Sequence, residues 1–572
     1  MIFMSNLTPL PEQATEMLNW PWSQVEAYYA ELSERSLSAS TVDAYLSDWT
    51  RLRERVYEVE ARLALAVDVN TADKEAEQRY NRFLAEVYPK SQEEEQRLRS
   101  KLLESGLKPA GFELALRKMR ATAALFRVTN LPMKVEVGRL CHEYSKVTGG
   151  QTLRWEGEET TVTQLQPVMR ETDRARRERA WRQAAERQLA DRSALNGIWQ
   201  NLLKLRLQMA ANAGFPDYRS YRWQEMLRFD YTPDDCKQFQ HAIEQAVVPA
   251  ATRCHERRRK QLRLATLRPW DLDVDPLGRQ ALAPFQDLEQ LKLGVHAVLE
   301  RVDPRIGAHF RTMMTERLLD LDDRIHKAPG TYFATFQAAK REFIFMHAVG
   351  MGGDVIPLIH ESGHAFHSSE ANRLPYFQQR DPGVVFSETA AMTMEWLAVR
   401  HLARDAGGFY TRSEAARAHA MHLESSIHLW PYIAVVDAFQ HWVYENPSAA
   451  MEPENCDRQW TELWRRFMPG VDWTGFEDAM ATGWQRKFHV FLMPFFYIEY
   501  GMALIGAVQI WANAIRDRAS AIAAFRRALA LGGTKPLPEL LAAAGARFAF
   551  DAGTLGAVVG LMEDALAKSS GQ

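Results

Sequence analysis

Apolar residues recur every three or four positions along almost the whole of this chain, and that period restricts it to a predominantly helical body. Glu93 to Met119 and Arg174 to Phe215 are clear examples, with charges of mixed sign on the remaining faces, as solvated helices carry. One short run breaks the pattern. "REFIFMHAVGMGGDV", Arg341 to Val355, is rich in β-branched and aromatic residues and ends in a glycine cluster, so it reads as a strand followed by a turn. A chain of 572 residues can form several domains or one large body around a deep cleft, and length does not choose between them. There is no internal repeat. Two alanine-rich helical segments, Ser520 to Leu531 and Pro538 to Ala544, lie near the end, and the polar "KSSGQ" after them is expected to fray.

The totals exclude several kinds of partner. With a formal net charge of -3, 46% hydrophobic and 25% charged residues, the chain has no long-range bias toward nucleic acid. Its most basic island, Arg253 to Arg268, lacks interleaved aromatics and keeps a helical period, which predicts a solvated helix. Cys141, Cys236, Cys254 and Cys456 are scattered without paired spacing, which argues against a disulfide framework and against a cysteine metal site. Together with a start, "MIFMSNLTPLPEQ", that does not read as a secretory signal, this sets a cytoplasmic expectation. The apolar stretch Phe488 to Trp511 carries His489, Glu499 and Gln509, so a buried helix is expected there and not a membrane span.

Directly after the strand comes "IPLIHESGHAFH", Ile356 to His367. Asp354 suits the N-cap of a helix in which Pro357 falls at the third position, where its missing N–H costs little. His360 and His364 then stand one turn apart on one face and can reach a single cation, while Glu361 lies beside them as a candidate base. A catalytic site needs a third ligand. "VVFSETAAMTMEWLAVRHLA", Val384 to Ala403, supplies Glu388 as that ligand and, seven residues later on roughly the same face, Glu395 as the partner that fixes a ligand imidazole. His367 is read as a neighbour of the site, and His422, His428 and His441 as core or surface groups. Nitrogen and oxygen donors suit several divalent ions, with zinc as the default and one catalytic ion expected. A strand edge beside such a helix can hold an extended peptide, and Gly352 and Gly353 would let its backbone come close.

The pair "HESGHAFH" and "FSETAAMTMEWL", with Glu388 placed 28 residues after His360, resembles the zinc signature of the thimet oligopeptidase and oligoendopeptidase F family. "RPWDLDV", "APGTYFATF", "AVVDAFQHWVYENP" and "HVFLMPFFYIEYGMALIGAVQIW" point the same way, most like the bacterial oligoendopeptidase F, or PZ-peptidase-like, branch. The resemblance implies a mostly α, neurolysin-like zincin: two helical lobes around a deep substrate channel, with a small β-sheet beside the zinc helix. Residues 1–190 would form an N-terminal helical region and 191–572 the catalytic region. The implied activity is a metalloendopeptidase that cuts internal bonds of short unfolded peptides, using zinc-activated water and Glu361 as general base. Carried over residue by residue, the resemblance also implies His489 and Tyr500 as catalytic groups and Tyr497 as a substrate contact. No nucleic acid or membrane partner is expected, and the protein is read as a monomer or small homo-oligomer. An end-trimming zinc carboxypeptidase or dipeptidase, or a non-catalytic peptide-binding protein, stays open at this level.

Overall fold

A computed structural model describes residues 9–570, so Met1 to Thr8 of the N-terminal stretch and the last two residues of "KSSGQ" lie outside the described residues. Helices make up most of what is described, as the period demands. The strands are few. β1 (Thr152–Trp155) and β2 (Glu158–Thr161) form a small hairpin, and β3 (Leu319–Asp322), β4 (Tyr332–Phe336) and β5 (Arg341–Ala348) form a three-stranded sheet in the order β3-β5-β4. β3 runs parallel to β5 and β4 antiparallel, with Tyr332 opposite Phe345.

The run read as a strand edge is therefore the middle strand. Ile344, Phe345 and Met346 are all buried, and the sheet covers both sides of this most apolar segment, leaving its free edges to β3 and β4. The stretch from Glu93 to Met119 is likewise two helices, Tyr88–Glu104 and Glu113–Leu125, because Gly106 and Gly111 both take positive φ around Pro109. A last helix, Ala552–Ser570, was not expected from its glycine-rich sequence. It buries Leu555, Val559, Met562 and Leu566, a spacing that lines one face, and it carries Lys568 to Ser570 of the tail.

The basic island is a helix with an exposed basic face, as its period predicted. Within helix Val248–Gln261 Arg253 and Lys260 are exposed, Arg253 pairs with Glu563 at 2.9 Å and Arg257 with Glu424 at 2.7 Å, and Arg258 donates to the Val274 carbonyl at 2.6 Å. The apolar helix Ile498–Arg516 is long and apolar enough to cross a bilayer, yet 67% of that window is buried inside the protein. Its Glu499 meets Arg228 at 2.6 Å in the interior, which is where a core helix places an ion pair.

Three helices carry the site. Val355–Ala371 crosses Val384–Ala398, which in turn packs along Ile498–Arg516. The first crossing is tight enough that a Cβ on Gly363 would lie 2.7 Å from the Ala391 backbone, and the second depends on Gly506 facing Thr389. Small residues at these points let the helix axes approach.

Two cores lie around this layer. The larger gathers residues from Leu125 to Leu566, and a separate one collects Ala14 to Met119. The second core also takes in Ala338, Tyr376 and Phe377, which flank the sheet and the end of helix Val355–Ala371. Helix Val42–Val69 makes this connection: Trp49 stands edge-on to Phe377, Glu54 pairs with Arg380 at 2.6 Å, and Glu58 accepts from the Ala339 N–H at 2.9 Å.

Gly363→Ala is expected to lower stability by about 1–3 kcal/mol through overpacking against Ala391, read as a fall in the thermal unfolding midpoint. An unchanged midpoint would mean that the crossing relaxes without cost.

Candidate metal centre

Asp354 begins helix Val355–Ala371, but its carboxylate does not cap the first turn as the sequence suggested. It reaches back to accept from the Val349 and Met351 N–H groups at 3.0 and 2.8 Å, which ties the glycine-rich turn after β5 to the helix start. One turn on, His360 and His364 project from the same face, their rings 4.8 Å apart and nearly perpendicular. Glu388 arrives from the crossing helix. Its Oε2 lies 3.4 Å from His360 Nε2 and 3.4 Å from His364 Nε2.

The other ring nitrogens are occupied. His360 Nδ1 is 2.5 Å from Glu395 Oε1, and His364 Nδ1 is 3.2 Å from the Ser387 hydroxyl. With a proton on each Nδ1 donated to these oxygens, both Nε2 lone pairs face Glu388. Buried Glu388 Oε2 has no hydrogen-bond partner among the described residues. A buried, unpartnered carboxylate oxygen facing two imidazole lone pairs is a costly arrangement without a cation and a suitable one with it, so the donor set fits a divalent metal. When the two imidazoles are instead protonated, their positive charge and N–H donors bring the Glu388 carboxyl, which burial alone would raise, down to about 2.

Glu361 is buried beside the ligand-type atoms. Its Oε2 is also without a partner, and burial raises its carboxyl above the ordinary range. His367 packs against Phe386 and contributes no atom to the cluster.

His489, Tyr497 and Tyr500 come together on a second wall. Tyr500 Oη is 3.5 Å from His489 Nε2, and the Tyr497 ring lies 4.8 Å from His489 and 5.3 Å from Tyr500. The turn that joins them contains Phe495 at φ 63°, a left-handed conformation that costs a side-chain-bearing residue about 1–3 kcal/mol. It is held by two partners: Gln440 accepts from the Phe495 N–H at 2.7 Å, and Arg228 donates to the Phe495 carbonyl. Burial and the neighbouring Lys487 keep His489 well below its ordinary pKa, so the ring is neutral at pH 7. Burial and the nearby Glu388 carboxylate raise the Tyr500 phenol well above its ordinary range. Tyr500 therefore keeps its phenolic proton near neutral pH.

Gly352 and Gly353 lie on the wall of a cavity of about 560 Å³ that runs past Ile356, His422 and Tyr432. Arg170 is the side chain that stands against Gly353. The Gly352 N–H is used within the fold, donating to the Leu282 carbonyl at 2.8 Å.

Several neighbours escaped sequence reasoning. Phe333 of β4 stacks on His364 at 5.1 Å, Ser387 orients the same ring, and His422 stands behind Glu395, 3.7 Å from its second oxygen. Ser387 sits one position before Glu388 and was findable by its register, whereas Phe333 and His422 carry no local signal. His428 is stacked on His255 at 4.3 Å and lines the cavity. His441 belongs to a separate cluster with Asp437 and Cys236. There Asp437 Oδ2 already accepts from Gln240 at 2.6 Å, and Arg219 Nη1 faces His441 Nδ1 at 3.3 Å, which favours the proton on the nitrogen nearest Asp437. His441 Nε2 and Asp437 Oδ1 are buried there without a hydrogen-bond partner among the described residues, His441 Nε2 lying 3.4 Å from Asp437 Oδ2.

Residues 168–559 match the model of peptidase family M3. The chain belongs to that family. This M3 metallopeptidase superposes on a solved structure of PZ peptidase A with an inhibitor, with a TM-score of 0.89, 25% identity and 98% of each chain covered. A structure provisionally described as oligoendopeptidase F matches with a TM-score of 0.90, 26% identity and 96% of each chain. One from Bacillus anthracis, provisionally given the same description, shares the fold at a TM-score of 0.86 and 22% identity over 96% of each chain. No curated protein matches the chain. These relatives support the oligoendopeptidase F branch, and the enzyme is a peptidase.

Replacing Glu395 with Ala is expected to weaken metal affinity about 10- to 100-fold, because His360 loses the acceptor that fixes its tautomer, whereas Gln keeps an amide oxygen acceptor and should weaken it less. Competition titration against a chelating dye reads this directly, and an unaltered affinity would remove Glu395 from the role.

Proposed function

We propose that this enzyme is a zinc-dependent endopeptidase that cuts short, unfolded peptides at internal bonds, with His360, His364 and Glu388 as the zinc ligands. The observation that carries the reading is the placement of Glu388 Oε2 3.4 Å from each of the two imidazole Nε2 atoms, next to the unpartnered carboxylate of Glu361. Bound there, zinc would supply a Lewis acid that polarises a carbonyl and acidifies water.

The chain's own groups then divide the work. Glu361 takes the proton from the attacking water on its free Oε2 and passes it to the leaving nitrogen, a role suited to a carboxyl whose pKa burial has raised. Tyr500 donates its phenolic proton in a hydrogen bond to the oxygen that gains charge, and neutral His489 bonds a substrate carbonyl. Tyr497 packs beside both as a substrate contact. Glu395 keeps the His360 ring in register. The open edge of β4, next to His364 through Phe333, suits an extended peptide held by main-chain hydrogen bonds, while Gly352 and Gly353 lie on the cavity wall packed against Leu282, Tyr410 and Arg170. A cleft of about 560 Å³ suits a few residues of flexible peptide better than a folded protein.

Glu361→Gln should keep its metal and lose about 10²- to 10⁴-fold in turnover on an end-blocked peptide library mapped by mass spectrometry. Retained turnover would remove Glu361 as the base. Tyr500→Phe should lower kcat by about 10²- to 10³-fold with little change in KM, and a change in KM alone would assign Tyr500 to binding. Removing metal with a chelator should abolish cleavage, and adding zinc back should restore it. Activity that survives a metal content below one-tenth per chain would overturn the zinc assignment.

A further inference from the structure

Lys487 lies two residues before His489 and has no assigned part in the chemistry. Its ammonium carries three N–H donors, yet among the described residues it makes no ion pair and no hydrogen bond; what surrounds it is aromatic. The nitrogen sits 3.6 Å from the centroid of the Tyr497 ring, 5.1 Å from Tyr432 and 5.9 Å from Phe488. No carboxylate acts on it, and burial alone lowers its pKa to about 7. The contrast with Lys327 is informative, since that buried ammonium is matched by Asp320 and by the Asp322 and Met346 carbonyls. Arg486, next in the chain, meets only the Ala479 carbonyl and the Thr482 hydroxyl and lines an adjoining cavity with Arg170. Asp273 lines that adjoining cavity too, but no carboxylate pairs with Lys487 or Arg486 among the described residues.

An ammonium held between ring faces gains cation–π attraction, but that does not use its donors. Lys487 is half-buried, and its ring neighbours border the site, since Tyr432 lines the cavity and Tyr497 touches both His489 and Tyr500. We propose that Lys487 is a carboxylate anchor for the bound peptide, taking either its free C-terminus or an acidic side chain. The anchor rests on the peptidase reading above and names the charge its substrates carry. Tyr497 alone separates Lys487 from Tyr500, so at roughly 3.3 Å per extended residue the carboxylate falls within about three residues of the cut bond. Phenol groups of Tyr497 and Tyr432 flank the same spot and can add hydrogen bonds to the bound oxygens.

The test uses one zinc-loaded peptide series on the wild type, Lys487→Met and Lys487→Arg. Its members are a parent with a free C-terminus, the same peptide amidated, and amidated peptides in which Glu replaces Gln at each of the three positions on either side of the cut bond. The wild type should prefer at least one carboxylate-bearing member over the uncharged amide by about 10- to 100-fold in kcat/KM, mostly through KM. Preference for the free acid identifies the terminus as the source, and preference for one Glu peptide identifies a side chain. Lys487→Met should shrink the ratio to about twofold or less, while Lys487→Arg keeps part of it. Equal cleavage of every member by the wild type, or a ratio that survives in Lys487→Met, would refute the anchor while leaving the peptidase reading intact. If nothing is cut, that reading fails, and calorimetric binding of the acid and amide to Glu361→Gln still decides the anchor: equal affinities reject it, and a Lys487-dependent difference upholds it.

Discussion

The close crossing of two helices at Gly363 and Ala391 is the constraint from which the centre follows. His360 and His364 are fixed by sequence spacing alone, but Glu388 reaches them only because the second helix lies near enough to place a carboxylate oxygen 3.4 Å from both rings. A larger residue at position 363 would push the backbones apart and carry the third ligand with it. The outer partners follow from the same crossing, since Glu395 lies two turns along the helix that delivers Glu388 and Ser387 lies beside it. Helix Ile498–Arg516 then packs behind through Gly506 and fixes Tyr500 relative to the centre. One small-residue layer thus coordinates three walls of the site.

The electrostatics of the centre depend on that packing. Burial raises the Glu361 carboxyl and the Tyr500 phenol and lowers the His489 imidazole, so each is neutral or poised near its task in a place that water would otherwise level. The aromatic wall adds strain. Phe495 holds a left-handed turn between His489 and Tyr497, and the restraint comes from Arg228 and Gln440, which belong to segments far away in the chain. Arg228 is in turn balanced by Glu499, the residue next to Tyr500.

Much of this was legible in the sequence where chemistry depends on local spacing. His360, Glu361 and His364 share a helical turn, and Glu395 follows Glu388 by about two turns, so helical geometry alone brought each set to one face. Glu388 as third ligand, and the grouping of His489, Tyr497 and Tyr500, required more than periodicity, because the folding of the helix layer joins them. Topology was less legible. β5 reads as an edge from its glycine-flanked sequence, yet two short strands of modest apolar content cover it, and neither announces itself. His422 looked like an ordinary helix residue, and only the crossing of helix Arg412–Glu445 behind Glu395 brings it near the centre. The basic island was legible as a solvated helix, but its acidic partners, Glu424 and Glu563, lie far along the chain and carry no local signal.

The N-terminal core carries no residue of the centre, yet Trp49, Glu54 and Glu58 grip Phe377, Arg380 and Ala339 on both flanks of the sheet and the metal-motif helix. A chain made from its N-terminus completes this clasp surface some three hundred residues before the segments it must hold emerge. Trp49 is anchored within its own core by Tyr45 and Glu95, so the clasp surface can be set before its partners are made. The sheet and the metal-motif helix are thus buttressed by a part of the chain that can fold ahead of them.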